Sequence, residues 1–263
     1  FAEYVSGLLK SGYHPGGQRE LLARKPGQGV RPVGMWGPVE RVVYRALAAV
    51  ALAPFPPLDR SPDRYLAFVT APVKRGIELQ SEAASKEDIQ GTRRFFFTRS
   101  PLKYVVKSDI ISFYQFIDHG ILSDELLLHG ANYEAVDALV SFLGAMQGRV
   151  YGIPQLLDAS DWLSEIYIER VHRELVRDGL EVWRFNDDFL VATRTYEDAL
   201  HAVESLDAAA RRAGLVVSEH KTVTYGFSRY MIESLNLRPI EGLETIDPAE
   251  VEEIVGDYTD EFE

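Results

Sequence analysis

The chain has 263 residues, 46% of them apolar, enough to bury a sizeable core as one large domain or two subdomains. It contains no cysteine, which excludes disulfides and thiolate metal sites; its longest apolar stretch, Ala46–Phe55, falls short of the roughly 18 residues a membrane span needs. The net charge of −12 argues against a chain coated in phosphate-binding residues, but it is uneven: residues 1–110 hold 17 Lys or Arg against 10 Asp or Glu, and residues 111–263 hold 11 against 30. Residues 241–263 carry 10 acids and no base, and are read as an acidic tail or the start of a carboxyl-terminal region. The opening at Phe1, without Met or a signal pattern, reads as a trimmed amino end.

In chain order, the Gly- and Pro-rich segment Pro15–Pro32 reads as loop. From Pro38 the spacing of Val42, Val43, Ala46, Leu47 and Val50 predicts a helix, which stops before Pro54-Phe55-Pro56-Pro57. Tyr65–Val73 reads as a strand or extended segment, followed by a basic group of Lys74, Arg75, Arg93, Arg94, Arg99 and Lys103. Tyr104–Asp109 predicts a strand that delivers Asp109 at its end. Ile121–Leu128 and Tyr133–Met146 have helical composition, Gly148–Pro154 is a break, and a long helix runs from about Asp158 to Arg177 with Leu163, Ile166, Tyr167, Val171 and Leu175 on one face. Val182-Trp183-Arg184 and Phe189-Leu190-Val191-Ala192 flank a hairpin turn at Phe185-Asn186-Asp187-Asp188. Thr195 is then an N-cap with Asp198 three residues on, and Leu200, Val203 and Leu206 face the core until Gly214. Strands near Val216 and Val223 complete a sheet with helices on one side, an α+β arrangement.

Adjacent acids on a turn are common, since Asp is itself a turn former. Here the pair Asp187-Asp188 is joined by Asp109 from a second strand, and three carboxylates would suit two Mg2+ ions, hard cations that take oxygen ligands and keep several waters. The six histidines show no metal spacing.

Lys107-Ser108-Asp109-Ile110-Ile111-Ser112-Phe113-Tyr114, Ile117-Asp118-His119, Gly152-Ile153-Pro154-Gln155 with Ser160, Phe185-Asn186-Asp187-Asp188, and Gly214-Leu215 with Lys221 follow one another in an order and spacing that resemble the reverse transcriptase family over roughly residues 30–235. The resemblance implies a right-hand polymerase: fingers over 1–103, beginning around Arg31-Pro32, and a palm over 104–240 whose antiparallel sheet is covered by helices. It implies RNA-directed DNA polymerisation from dNTPs with two Mg2+ ions, for which Mn2+ substitutes, bound by Asp109, Asp187 and Asp188. Asp188 is then the weaker ligand, and the Ile110 carbonyl a further candidate.

On the same resemblance Tyr114, five residues after Asp109, is the bulky aromatic beneath the sugar of the incoming nucleotide, with a core tyrosine as the alternative. Gln155 reaches the nascent base pair. Lys221 protonates the leaving pyrophosphate or is a surface lysine. Lys74, Arg93 and Arg94 grip the triphosphate or are solvated charges, and His119 is structural. Leu156 departs from the family's usual glycine. That substituted turn and the hairpin closed by Phe189 are similar to bacterial reverse transcriptases of the abortive-infection and unknown-group type. This likeness implies a cytoplasmic enzyme of antiphage defence, with an RNA template or small noncoding RNA, a DNA product, and a second copy or an accessory defence protein as partners. A template-independent or protein-primed polymerase, and a silent RNA-binding palm, are the rival readings.

Overall fold

Two segments fold otherwise than their composition suggests. The computed structural model describes residues 3, 4, 7, 11–24, 30–83 and 101–235. In it Arg19–Arg24 (β1) and Val30–Met35 (β2) pair as an antiparallel hairpin, with Leu21 opposite Val33 and Leu22 opposite Pro32, where loop was expected. A two-stranded ribbon consists of edges, so Pro32 forfeits no bond of a central ladder. Pro38–Ala51 (α1) begins with proline at its start, as expected, and buries Val43, Tyr44, Ala48 and Ala51. Pro62–Ala83 (α2) replaces the expected strand over 65–73. The Ser61 hydroxyl accepts from Arg64 N (3.3 Å) at its start, and Phe68 and Val73 join a buried apolar cluster with Val69 and Ile77 packed against it. Tertiary packing therefore overrides a β-rich local composition.

The remaining elements are Tyr104–Asp109 (β3), Phe113–Phe116 (α3), His119–Leu128 (α4), Tyr133–Gln147 (α5), Asp158–Arg177 (α6), Glu181–Phe185 (β4), Asp188–Thr193 (β5), Tyr196–Arg212 (α7), Val223–Gly226 (β6) and Phe227–Leu235 (α8), with a 3-10 turn at Glu219–Lys221. They form two compact units, each from three chain segments: Phe1–Leu58, Ile111–Val171 and Ala210–Leu215 in one, and Asp59–Ile110, His172–Ala209 and Val216–Glu263 in the other.

In the first unit Asp118 caps α4 by accepting from Ile121 N (2.9 Å), and Asn132 caps α5 by accepting from Ala135 N (2.9 Å). Trp36 meets Tyr44 and Phe142 edge-on, with ring centroids 5.1 and 5.7 Å apart. The ribbon is anchored at its base, where Gln18 Nε2 donates to Gln147 Oε1 (2.7 Å) and Gln18 N to the Met146 carbonyl (3.0 Å).

The second unit holds a four-stranded antiparallel sheet in the order β4-β5-β3-β6. Strand alternation sends Val106 and Val191 to one face, where Ala199 and Ala202 of α7 pack; Val105, Leu190 and Ala192 meet α2 and α8 on the other. Helices thus cover both faces, not one, because α2 was read as a strand and α8 was not foreseen. The α7 start does follow the reading, since Thr195 Oγ1 accepts from Asp198 N (3.0 Å). Leu200, however, is 48% exposed, and the buried face of α7 is made by Ala199, Ala202, Leu206 and Ala209. Small side chains let the helix lie close to the sheet. No helix among the described residues is long and apolar enough to cross a membrane.

Candidate active site

The period of two along a strand sets Val105, Lys107 and Asp109 on one face of β3. Val105 is covered by the α2/α8 cluster, and Asp109 lies at the strand's far end. There it is the direct antiparallel partner of Asp188, the first residue of β5. Like charges directly opposite on a sheet repel. Asp187 precedes Asp188 in the two-residue turn between β4 and β5, and Asn186 opens that turn at φ 53°, a left-handed conformation that asparagine tolerates.

Burial, then the charges of Asp109 and Asp188, push the Asp187 carboxyl up to about 6. Burial and Asp109 raise Asp188 too, opposed by Lys107 and Lys221. A fourth group answers the negative charge: Lys221 Nζ donates to Asp109 Oδ2 at 2.7 Å. The 3-10 turn that carries Lys221 is fixed to the strand end. Ser218 N donates to the Asp109 carbonyl (2.7 Å), the Ser108 and Thr222 hydroxyls share a hydrogen bond (2.8 Å), and Val217 bridges to Ile110. The Lys221–Asp109 hydrogen bond, and beyond it the charges of Asp109, Asp188 and Asp187, raise the lysine's pKa against the opposing effect of burial and keep it protonated.

The donor set is hard oxygen throughout, and the Asn186 Oδ1 in the same turn is buried without a hydrogen-bond partner. Among the described residues no three acidic or histidine side chains are gathered into a preformed metal cage. One carboxylate is engaged by Lys221 instead. The electrostatics fit a divalent cation, because mutual repulsion is what such a charge relieves.

Residues 24–237 match the family described as reverse transcriptase (RNA-dependent DNA polymerase). The chain belongs to the reverse transcriptase family. No curated protein sequence matches it. Among solved structures, telomerase from Candida albicans in complex with a TWJ fragment of telomeric RNA is 12% identical, with a TM-score of 0.52 over 85% of this chain and 46% of that one. Telomerase from Candida tropicalis with the same kind of fragment is 13% identical (TM-score 0.47, 86% and 44% covered), and the apo form truncated from its C-terminal domain 14% (0.46, 85% and 54%). The chain therefore spans about half the length of these structures, and the first likeness shows the polymerase fold.

In this reverse transcriptase chain the other expected site residues have distinct surroundings. Tyr114, on the one-turn helix α3 of the first unit, donates its hydroxyl to Asp161 Oδ1 at 2.6 Å. Gln155, half-buried, lines a small polar pocket open to solvent, with Gln18, Glu20, Gln115, Gln147 and Arg149. Ile110 is buried in the second unit, and Lys74 is exposed on α2. Its neighbour Arg75 is engaged by Glu181, with Nη2 3.0 Å from Oε1. Arg93, Arg94 and Arg99 lie outside the described residues. Sequence reading missed Asp161 and Lys107. Alternation could have flagged Lys107, two residues before Asp109, whereas nothing local marks Asp161 as the partner of a tyrosine 47 positions upstream.

Proposed function

We propose that the chain is an RNA-directed DNA polymerase that extends a primer with deoxynucleotides, and that Asp109, Asp187 and Asp188 hold the two divalent cations, Mg2+ or Mn2+, at its active site. The observation that carries this reading is the cross-strand pairing of Asp109 with Asp188, with Asp187 in the adjoining turn. A scaffold has no use for like charges forced together at a sheet end, so the silent-palm rival is disfavoured. When bound, the cations lower the pKa of the primer 3′-hydroxyl and neutralise charge building on the phosphates.

The chain's own residues do the rest. The carboxylates orient the ions. In the displacement the primer 3′-hydroxyl gives its proton to solvent, its oxygen forms a bond to the α-phosphorus, and the bond from that phosphorus to pyrophosphate breaks. Lys221, kept protonated beside the carboxylates, gives its proton to the departing pyrophosphate. Leaving Asp109 for the phosphate requires the lysine to exchange one anionic partner for another. Tyr114 lies under the sugar and excludes a 2′-hydroxyl, and Gln155 contacts the nascent pair. A bacterial cytoplasmic role in antiphage defence rests on the substituted turn, where Leu156 is 76% exposed and held at φ 64°, a conformation glycine adopts without strain.

Purified protein given a primed RNA template, dNTPs and Mg2+ tests the reading. Asp109→Asn is expected to lower incorporation by at least about a hundredfold while the fold survives. Wild-type rates in that folded variant would overturn the assignment.

A further inference from the structure

The first unit presents an aromatic surface that the proposed chemistry does not use. Phe116 and Tyr151 stand parallel to within 12°, ring centroids 6.5 Å apart, yet they are 40% and 39% exposed. The Arg149 guanidinium lies 4.8 Å from the Tyr151 ring centroid, and its Nε donates to the Tyr151 carbonyl (3.2 Å). Aromatic side chains usually gain rigidity from burial, which these two largely lack. Here the backbone that carries them is fixed instead. His119 N donates to the Val150 carbonyl (2.9 Å), Gly152 N to the Ile117 carbonyl (2.8 Å) and Ile153 N to the Tyr114 carbonyl (2.9 Å), while Asp118 and Tyr151 form a β-bridge.

Beneath them the buried His119 ring bonds the Gly152 carbonyl (2.7 Å). Gly152 itself has φ 93°, and a Cβ there would stand 3.2 Å from Arg149 Nη2 and 3.3 Å from the Gln115 carbonyl. Glycine thus leaves room for the arginine to fold back over its ring. The backbone segments that carry the two rings are fixed against each other before any partner arrives, so less ordering remains to be done on binding.

We propose that Phe116, Tyr151 and Arg149 form a stacking platform for unpaired RNA. Flat π-faces accept any base, and a guanidinium stacked on one ring adds a cationic edge for the phosphodiester. Arg149 also lines a small polar pocket with Gln18, Glu20, Gln115, Gln147 and Gln155; there the amides of Gln115 and Gln155 offer donors and acceptors to base edges, while Gln18 is bonded to Gln147 (2.7 Å) and Trp36 (3.1 Å). The family's template is RNA, so the occupant is single-stranded RNA, and duplex, whose bases are already stacked, is excluded.

The test uses the full chain in EDTA, so that no polymerisation intervenes, and a fluorescein-labelled single-stranded RNA of mixed sequence about ten nucleotides long, read by anisotropy. Tyr151→Ala and Phe116→Ala are each expected to weaken binding by about tenfold, and Tyr151→Trp to retain it. The loss should be the same at low and moderate salt, because stacking releases no counterions. Duplex RNA of the same length serves as control, single-stranded DNA of the same sequence measures the contribution of the 2′-hydroxyl, and thermal denaturation verifies folding. Unchanged affinity in the folded Phe116→Ala, Tyr151→Ala double variant would overturn the platform. So would an equal loss on duplex, or a change confined to oligomeric state, which would mark the face as a contact between copies. An inactive polymerase that still binds RNA through these rings would defeat the proposed function and leave the platform standing.

Discussion

Replacing Asp187 by Asn should make the metal-free protein more stable while silencing it. The Asp187 carboxyl rises from 3.8 to about 6 through burial and two neighbouring carboxylates. At 1.4 kcal/mol per unit, keeping it ionised at neutral pH costs the fold about 3 kcal/mol, or about 2 kcal/mol once residual solvent is allowed for. The sign is opposite to that of an ordinary paired carboxylate. Because the folded value lies above the unfolded one, the cost is fully present above about pH 6 and vanishes as the pH falls below 3.8. Asn cannot ionise, so it escapes the cost. Denaturation in EDTA at about pH 7.5 should place the variant roughly 4–8 °C above wild type, a gap that closes near pH 4. Added Mg2+ should then stabilise wild type more than the variant, because binding to the folded state adds its own free energy. A variant less stable than wild type at neutral pH, or a gap indifferent to pH, would refute the claim that burial and the neighbouring carboxylates destabilise the ionised Asp187.

Two further outcomes bear on the first unit. Tyr114→Ala should raise ribonucleotide use relative to deoxynucleotide use, and Asp161→Ala should do so by less, since the ring stays while its hydroxyl loses the 2.6 Å bond to the carboxylate. Ratios of kcat/KM for the two substrates decide it, and unchanged ratios in active variants would return Tyr114 to a packing role. Leu156→Gly should relieve a left-handed backbone worth about 1–2 kcal/mol, against about 0.5–1 kcal/mol of glycine entropy, and the exposed leucine forfeits little burial. Chemical denaturation should therefore show a near-neutral or slightly stabilising change, with longer products on a primed heteropolymeric RNA. A loss of more than about 1 kcal/mol would mean that the side chain has a packing role.

The sequence was most legible where local chemistry and tertiary fold agree. Tyr104–Asp109 alternates cleanly and forms β3, and Asp158–Arg177 carries one apolar stripe and forms α6 over the expected span. The turn at Asn186-Asp187 was marked by its apolar flanks. It was least legible where packing partners decide. The β-branched and aromatic content of 65–73 suggests a strand, but Phe68 and Val73 are buried as one face of a helix. Pro32 and the glycines around it suggest loop, but an edge ribbon accepts them. Leu200 was assigned inward on period alone, and alanines took the contact because they permit a closer helix. The site follows the same division: carboxylates announced themselves by type and spacing, whereas the Tyr114–Asp161 bond and the ring pair of Phe116 and Tyr151 join positions that no local pattern connects.

Backbone strain gives an independent measure of where this fold departs from its most relaxed form. Among the described residues, the non-glycine positions with positive φ are Ser112, Leu156 and Asn186. Each conformation costs of order 1–2 kcal/mol for an ordinary L-residue and persists only when the surroundings enforce it. They are not scattered. Ser112 lies three residues after Asp109, Leu156 directly follows Gln155, and Asn186 directly precedes Asp187. Asparagine lightens the penalty at the third position, whereas serine and leucine bear it at the others. The enforcement is visible at Ser112, whose carbonyl accepts from Gln115 N (2.8 Å) to close the turn that presents Tyr114. Only at the β4–β5 turn do the two destabilisations, strain and charge repulsion, adjoin, the left-handed Asn186 standing directly before the crowded carboxylates Asp187 and Asp188. Within the second unit, the repulsion of Asp109, Asp187 and Asp188 is what a bound cation would relieve, and the strained turn at Asn186 is the element that holds Asp187 against its neighbours.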